Sequence, residues 1–159
     1  MRLPQINTRL GVFLIPDNVT YEEASFAEPL ACVLRGQDRA KVSAGDTVAV
    51  IGSGISGILH IALARARGAE CIVAADINEA RLPWAKKFGA DITTNDSFSI
   101  PRLLLDNIGR KADIVILTTG HPKAVQAGFE AADEGATILL FAPSDPGTTV
   151  QIDITDLFF

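Results

Sequence analysis

Three glycines at positions 52, 54 and 57 separate two apolar segments, and this spacing constrains the fold more than any other feature of the 159-residue chain. Thr47–Ile51 is an almost continuous apolar run, as expected for a strand buried on both faces of a parallel sheet. A helix is predicted from about Ser56 to Arg67. A glycine-rich turn between a strand and a helix predicts that something approaches the backbone closely there.

The rest of the chain alternates between short apolar runs and helical segments. Further strands are predicted at 71–76, 90–94, 112–118 and 136–143, and helices at 79–88, 100–108 and 123–132. Strands separated by helices form right-handed βαβ units in a parallel sheet. The prediction is an α/β fold with a doubly wound parallel sheet. Before the sheet, residues 1–20 are predicted to be extended, and a helix is predicted from Tyr21 with Thr20 as its N-cap.

In this context the glycines match a dinucleotide-binding turn of the Rossmann type. Gly52 permits the tight turn, Gly54 lets the backbone approach a pyrophosphate, and Gly57 allows close packing of helix on strand. Asp76 follows the second strand about 20 residues later, where a carboxylate binds both adenosine ribose hydroxyls and repels a 2′-phosphate. The pattern predicts NAD rather than NADP. The alternative is a packing turn with Asp76 capping the next helix.

Composition excludes several other classes. The net charge of −5 argues against a nucleic-acid partner, which needs a basic surface. The chain has no apolar run of about 20 residues and no signal-peptide core, so we expect no membrane contact and a cytoplasmic location. Cys32 and Cys71 are far apart and the two histidines are scattered, so no metal site is expected in this chain alone. Both thiols are expected to be free and buried.

With Glu28-Pro-Leu and Phe88-Gly-Ala-Asp, these motifs resemble the cofactor-binding half of a medium-chain dehydrogenase/reductase, nearest to its zinc-dependent alcohol, polyol and threonine dehydrogenases. The resemblance assigns residues 1–14 to the end of a catalytic (GroES-like) domain and 15–159 to an NAD-binding domain with an N-terminal linking helix. It implies a fragment of a longer oxidoreductase that transfers hydride between an alcohol or polyol and NAD. Zinc would act there as a Lewis acid in the full-length enzyme only. The fragment is expected to bind cofactor without turnover.

The resemblance also implies a set of cofactor contacts. The matching positions are Gly52, Gly54, Ile55, Ser56, Gly57, Asp76, Arg81, Thr118, Thr119, Phe141 and Ala142. The glycines and the N–H groups of Ile55 and Ser56 would face the pyrophosphate, and Asp76 and Arg81 the adenosine ribose. The two threonines would lie beside the adenine and its ribose, and the last two residues near the nicotinamide. Glu28 matches the acidic residue that lies beside, or binds, the catalytic zinc.

Other interpretations stay open. A class I methyltransferase also has glycines after its first strand, although its motif is usually GxGxG. A non-catalytic nucleotide-sensing domain shares the fold, and a zinc-free quinone or enoyl reductase would usually prefer NADP. His60 is interpreted as a packing or solvent residue. His121 follows a strand end on the cofactor side, so it is either a ligand contact or simply the start of a helix. Because the family's sixth strand would follow Phe159, the fifth strand is expected to be an exposed edge, which predicts a homodimer or higher homo-oligomer.

Overall fold

The computed structural model describes residues 4–152 as five parallel strands with helices on both faces. The strand order is β3-β2-β1-β4-β5, and the strands are β1 (Thr47–Ile51), β2 (Cys71–Ala75), β3 (Ile92–Thr94), β4 (Ala112–Leu117) and β5 (Ala132–Leu140). The helices are α1 (Gln5–Leu10), α2 (Tyr21–Ala24), α3 (Ala27–Ala40), α4 (Ile55–Ala66), α5 (Leu82–Lys87), α6 (Ile100–Ile108) and α7 (Pro122–Ala131). The predicted α/β fold with a doubly wound parallel sheet is confirmed.

The side chains of each strand alternate between two cores. Val48 and Val50 of β1 pack on the face that also buries Ile61 of α4. Ala49 and Ile51 of β1 face the other side of the sheet, where residues of α6 and α7 such as Leu104 are buried. All five residues of β1 and of β2 are buried, which explains why these strands are almost entirely apolar rather than alternating, with Thr47 as the one polar residue.

The carboxyl ends of three neighbouring strands meet at one edge of the sheet. Ile51, the last residue of β1, lies opposite Ala75 of β2 and Leu117 of β4. The residues that follow these strand ends are therefore side by side, although they are far apart in the sequence. In open α/β sheets this is the edge at which ligands bind, where the strand order reverses.

The N-terminal region differs from the prediction in two places. The expectation of an extended chain is wrong for residues 5–10, which form the one-and-a-half-turn helix α1. The helix predicted from Tyr21 begins there, and Thr20 forms a capping box with Glu23, but this helix ends at Ala24. The Ser25 hydroxyl donates to the carbonyl of Glu22 at 2.6 Å, a local side-chain bond that competes with continued helix. A separate helix, α3, then starts at Ala27.

Strand β5 forms one edge of the sheet and is longer than predicted. It begins at Ala132, directly after α7, and ends at Leu140. Its pairing with β4 has a register shift between Ala112 and Ile114. Residues 153–159, after which a sixth strand was expected, lie outside the described part of the chain. Among the helices described between residues 4 and 152, none has the length and apolar character that a bilayer crossing requires.

Candidate functional site

The turn after β1 brings backbone N–H groups to the carboxyl edge of the sheet. Gly52 has a φ of +100°, a conformation that side chains other than glycine rarely adopt. Gly54 is the N-cap of α4, and the first bond of the helix runs from the Ile58 N–H to the Gly54 carbonyl at 2.9 Å. The N–H groups of Ile55 and Ser56 therefore have no partner within the helix and lie at its positive end.

Gly54 and Gly57 have different surroundings. A Cβ on Gly57 would lie 1.9 Å from the Gly52 carbonyl oxygen, so a side chain here would collide with the turn itself. A Cβ on Gly54 would meet nothing within 4 Å. Gly54 lines a cavity at the carboxyl edge of the sheet. Gly57 is thus required by packing, whereas the missing side chain of Gly54 leaves space at a surface that a ligand can approach.

Asp76 is a buried carboxylate at the end of β2, with its side chain only 4% exposed. Its Oδ2 accepts from the Ser53 N–H at 2.7 Å, and its Oδ1 accepts from the Asn78 N–H at 2.8 Å. The guanidinium of Arg81 lies 3.3 Å from Oδ2. These bonds compensate for the cost of burying the charge. They also fix the direction in which the carboxylate faces the glycine turn.

The cavity beside Asp76 has a volume of about 630 Å³, within the usual range of small-molecule sites of about 300–1,000 Å³. Six of the predicted contact residues line it together: Gly52, Gly54, Asp76, Arg81, Thr118 and Thr119. Two glycines of the turn, a carboxylate and two threonines are therefore combined in one cavity, whereas Ile55, Ser56 and Gly57 are not among its lining residues. This combination suits a ligand that carries both phosphate and sugar hydroxyl groups.

Several residues outside the predicted set of cofactor contacts also line this cavity. Ile77 is 94% exposed and directly follows Asp76, and Phe98 on the loop after β3 is 39% exposed. His121 and Lys123, at the start of α7, line the cavity as well. The position of Ile77, an apolar residue just beyond a strand end, is a signal that sequence analysis could have used. Nothing in the sequence placed the loop of Phe98 beside it.

Thr118 and Thr119 follow β4 but have different environments. The Thr118 hydroxyl donates to the carbonyls of Gly52 at 2.9 Å and Ile51 at 3.1 Å. The Thr119 hydroxyl accepts from the His121 N–H at 3.4 Å. The His121 ring in turn accepts from the Lys123 N–H through Nδ1 at 3.3 Å, so it caps α7 as a helix start should. The loop after β4 is thereby joined to the glycine turn.

Phe141 and Ala142 do not line this cavity. Both donate their N–H groups to the Leu117 carbonyl, at 3.0 and 3.1 Å. The ring of Phe141 packs edge-on to the ring of His60, with centroids 4.5 Å apart, and also faces Gly36 of α3. The backbone of Phe141 and Ala142 is therefore held at the end of β4. The Phe141 ring packs between the sheet and α3. The proposal that these residues lie near a nicotinamide rests on the resemblance.

Glu28 lies on α3, away from the cavity lining. Its carboxylate accepts from the Cys32 thiol at 3.2 Å and raises the pKa of that thiol. Cys32 is exposed, so the expectation that both cysteines are buried is wrong for this one, because it faces outward on α3, whereas Cys71 lies in a central strand. Within residues 4–152, no group of three or more His, Cys, Asp and Glu side chains is arranged to hold a metal ion.

Comparison with known proteins relates the chain to dehydrogenases. Residues 56–159 match the family model described as zinc-binding dehydrogenase. The chain is 33% identical over 144 residues to sorbitol dehydrogenase of Ovis aries, an alignment that covers 88% of this chain and 41% of the sheep protein. The chain thus spans about 40% of the length of the curated relatives it matches.

Two solved structures show the same fold with nucleotides bound. A structure from Sinorhizobium meliloti 1021 bound to NADP has a TM-score of 0.82 and 29% identity, covering 92% of this chain and 44% of that one. An alcohol dehydrogenase of Escherichia coli CFT073 complexed with NADH has a TM-score of 0.76 and 25% identity, covering 87% and 42%. The similar folds therefore bind either nicotinamide dinucleotide.

Proposed function

Because the chain belongs to the zinc-binding dehydrogenase family, we propose that it is the cofactor-binding part of an enzyme that transfers hydride between an alcohol or polyol and NAD. The observation that carries the proposal is the buried carboxylate of Asp76 beside Gly54 in one cavity. The bound dinucleotide would supply the hydride acceptor. This chain's residues would bind and orient it, through the N–H groups of Ile55 and Ser56 and the carboxylate of Asp76.

The preference for NAD over NADP is part of the proposal. Relatives bind NADP in one case and NADH in another, so family membership leaves the choice open. The Asp76 carboxylate is tied to the Ser53 and Asn78 N–H groups and cannot easily turn away from the ribose. A 2′-phosphate would therefore meet a fixed negative charge. This argument also disfavours the NADP-dependent quinone or enoyl reductase.

The division of the chain into residues 1–14 and 15–159 is likewise proposed. Val12, Phe13 and Leu14 are between 63% and 96% exposed, which is unusual for consecutive apolar residues. Their exposure supports the assignment of this segment to a neighbouring catalytic domain in a longer protein. The described cofactor-binding core, by contrast, begins to bury apolar residues from Val33 onward.

We propose that zinc belongs to the full-length enzyme only; between residues 4 and 152 no group of three or more His, Cys, Asp and Glu side chains is arranged to hold it. In a longer enzyme the metal ligands would come from elsewhere, with Glu28 beside them. We derive no step through the metal. Binding of dinucleotide without turnover is the expected behaviour of the chain alone, in the cytoplasm, with an alcohol or polyol as substrate of the complete enzyme.

We also propose that copies of the chain associate. The outer edge of β5 has no strand partner among the described residues. Leu140 on this strand is 63% exposed. It lines a hollow with Phe129 of α7 and Pro143 and Val150 beyond the strand. An unpaired edge beside an apolar hollow supports a homodimer.

The experiment that tests the main proposal is titration of the purified chain with NADH, NADPH and S-adenosylmethionine. NADH should bind most tightly, with enhanced nicotinamide fluorescence. Binding of S-adenosylmethionine without NADH would support the methyltransferase alternative. Failure of every dinucleotide to bind at millimolar concentration would overturn the proposal.

A further inference from the structure

The peptide between Gly52 and Ser53 is held at both of its polar atoms. Its carbonyl oxygen accepts from the Thr118 hydroxyl at 2.9 Å, and its N–H donates to Asp76 Oδ2 at 2.7 Å. Thr118 follows β4 and Asp76 follows β2, the two strands on either side of β1. One peptide of the glycine turn therefore bridges both neighbouring strand ends.

The Thr118 hydroxyl donates to the carbonyls of both Gly52 and Ile51, but Ile51 has a second donor. The Ile51 carbonyl already accepts from the Thr118 N–H at 2.9 Å. In the part of the chain between residues 4 and 152, the Thr118 hydroxyl is the donor found on the Gly52 carbonyl. Removing the hydroxyl would leave the carbonyl oxygen of Gly52, a partly buried residue, without that bond, a loss that proteins usually avoid.

The glycines of the turn also make room for this hydroxyl. A Cβ on Gly52 would lie 2.4 Å from Thr118 Oγ1, and a Cβ on Gly57 would lie 3.3 Å from the same atom. The hydroxyl thus occupies the space that two of the three glycines leave free. The glycine spacing and Thr118 form one packing unit, although some 60 residues separate them in the chain.

We propose that Thr118 is a positioning residue of the dinucleotide site, whose hydroxyl holds the Gly52–Ser53 peptide in the orientation that receives a pyrophosphate. The inference rests on the proposed function. A loop that is already ordered does not lose that freedom when the ligand binds, so the bond increases affinity by preorganisation. Thr118 therefore acts through the turn, and direct contact with the adenosine ribose is the competing role.

A matched set of variants separates these roles. Thr118→Ser keeps the hydroxyl, whereas Thr118→Val keeps the shape and removes it, and Thr118→Ala removes both. We expect the alanine and valine variants to bind NADH about tenfold more weakly, equivalent to about 1.4 kcal/mol. The serine variant should remain close to the unmodified chain. Thr137→Ala, on the exposed edge strand β5, is the control for a threonine-to-alanine change elsewhere.

Two further measurements identify the mechanism. Adenosine contains the ribose but no phosphate, so its affinity, measured by competition with NADH, should be almost unchanged in Thr118→Ala, while that of ADP should fall. Without any ligand, the Ser53 amide should exchange its hydrogen faster in the alanine and valine variants than in the serine variant. The amide measurement does not depend on dinucleotide binding.

Equal losses for adenosine and NADH would assign Thr118 to direct contact and overturn the inference. Unchanged NADH affinity and unchanged Ser53 exchange in Thr118→Ala would also overturn it. If Thr118→Ala does not fold, the comparison of serine with valine decides the question. Absence of NADH binding in the unmodified chain would instead contradict the proposed function, and the Ser53 exchange would still test the bond.

Discussion

The guanidinium of Arg81 lies 3.3 Å from Oδ2 of Asp76, and the two side chains differ in exposure, 53% for the arginine and 4% for the aspartate. The anion is buried and held by two backbone N–H groups, whereas the cation is half exposed. Because the exposed arginine is screened by solvent, the pair adds little stability. Both residues line the cavity, so a ligand that enters it would meet the negative charge of Asp76 and the positive charge of Arg81.

Asp76→Asn should reduce the preference for NADH over NADPH by at least about tenfold, or about 1.4 kcal/mol. The amide keeps an oxygen that can accept from the Ser53 N–H but removes the charge that opposes a 2′-phosphate. Calorimetric titration with both dinucleotides measures the ratio. Asp76→Gly is the comparison, because it also removes the acceptors for Ser53 and Asn78 and should weaken both ligands. An unchanged ratio in Asp76→Asn would show that the carboxylate does not face the ribose.

Substitution at Gly54 should abolish binding and leave the fold intact. A Cβ at this position meets nothing within 4 Å, so Gly54→Val has space in the free protein but extends into the cavity. We expect an unchanged circular dichroism spectrum and melting temperature, with no enhancement of NADH fluorescence. NADH binding by Gly54→Val would mean that the pyrophosphate does not pass over this turn.

Gly57→Ala is the matched change with the opposite effect. Its Cβ would lie 1.9 Å from the Gly52 carbonyl oxygen, so the helix or the turn must move in the free protein. Such overpacking usually costs about 1–3 kcal/mol of stability. Thermal unfolding should therefore show a lower melting temperature for Gly57→Ala than for Gly54→Val. The reverse order would contradict the assignment of packing to Gly57.

The buried His60 should make the protein less stable in mild acid. Burial lowers the pKa of His60 from 6.5 to about 4, because the neutral ring is favoured inside the fold. Its contribution to the free energy of unfolding is present above pH 6.5 and is lost as the pH falls towards 4. At pH 5, which is about 1.5 pH units below 6.5, the free energy of unfolding is lower by about 2 kcal/mol than at neutral pH, at about 1.36 kcal/mol per pH unit.

Urea unfolding of the unmodified chain and of His60→Phe at pH 7.5 and pH 5 measures this effect. The phenylalanine ring is aromatic and cannot be protonated. The substitution removes the contact between Gln37 Nε2 and His60 Nδ1 at 3.3 Å, but Gln37 keeps its bond to the carbonyl of residue 60 at 2.8 Å. Between pH 7.5 and pH 5, the free energy of unfolding should fall by about 2 kcal/mol less in the variant than in the unmodified chain. Equal losses would indicate that other groups cause the acid sensitivity.

The sheet could be predicted from the sequence because its central strands are buried on both faces. Four consecutive apolar residues in β1 and five in β2 are a local signal of that burial, and the glycines after β1 mark its turn. The short helix α1 could not be predicted in this way. Its six residues are all exposed, and the segment is too short for a helical apolar periodicity to be recognised.

The site was only partly predictable, because some of its residues are placed by local strand ends and others by contacts between residues far apart in the sequence. Gly52, Gly54 and Asp76 follow strand ends, and the parallel sheet places strand ends together. Phe98 comes to the same cavity only through the path of the loop after β3. The ring of Phe141 depends on a contact with His60, 81 positions earlier, that no local pattern indicates.

Self-association should depend on Leu140. This side chain is 63% exposed on β5, whose outer edge has no strand partner between residues 4 and 152. The apolar ending Leu157-Phe158-Phe159, a further candidate for the contact, lies outside the described residues. We expect sedimentation equilibrium to show dimers at micromolar concentration and Leu140→Glu to shift them to monomers, because a charge in the contact would be buried without a partner. Leu105→Glu, on α6 with 50% exposure, is the matched control and should remain dimeric. If the unmodified chain is a monomer at all concentrations, or if both variants dissociate equally, this edge is not the contact between copies.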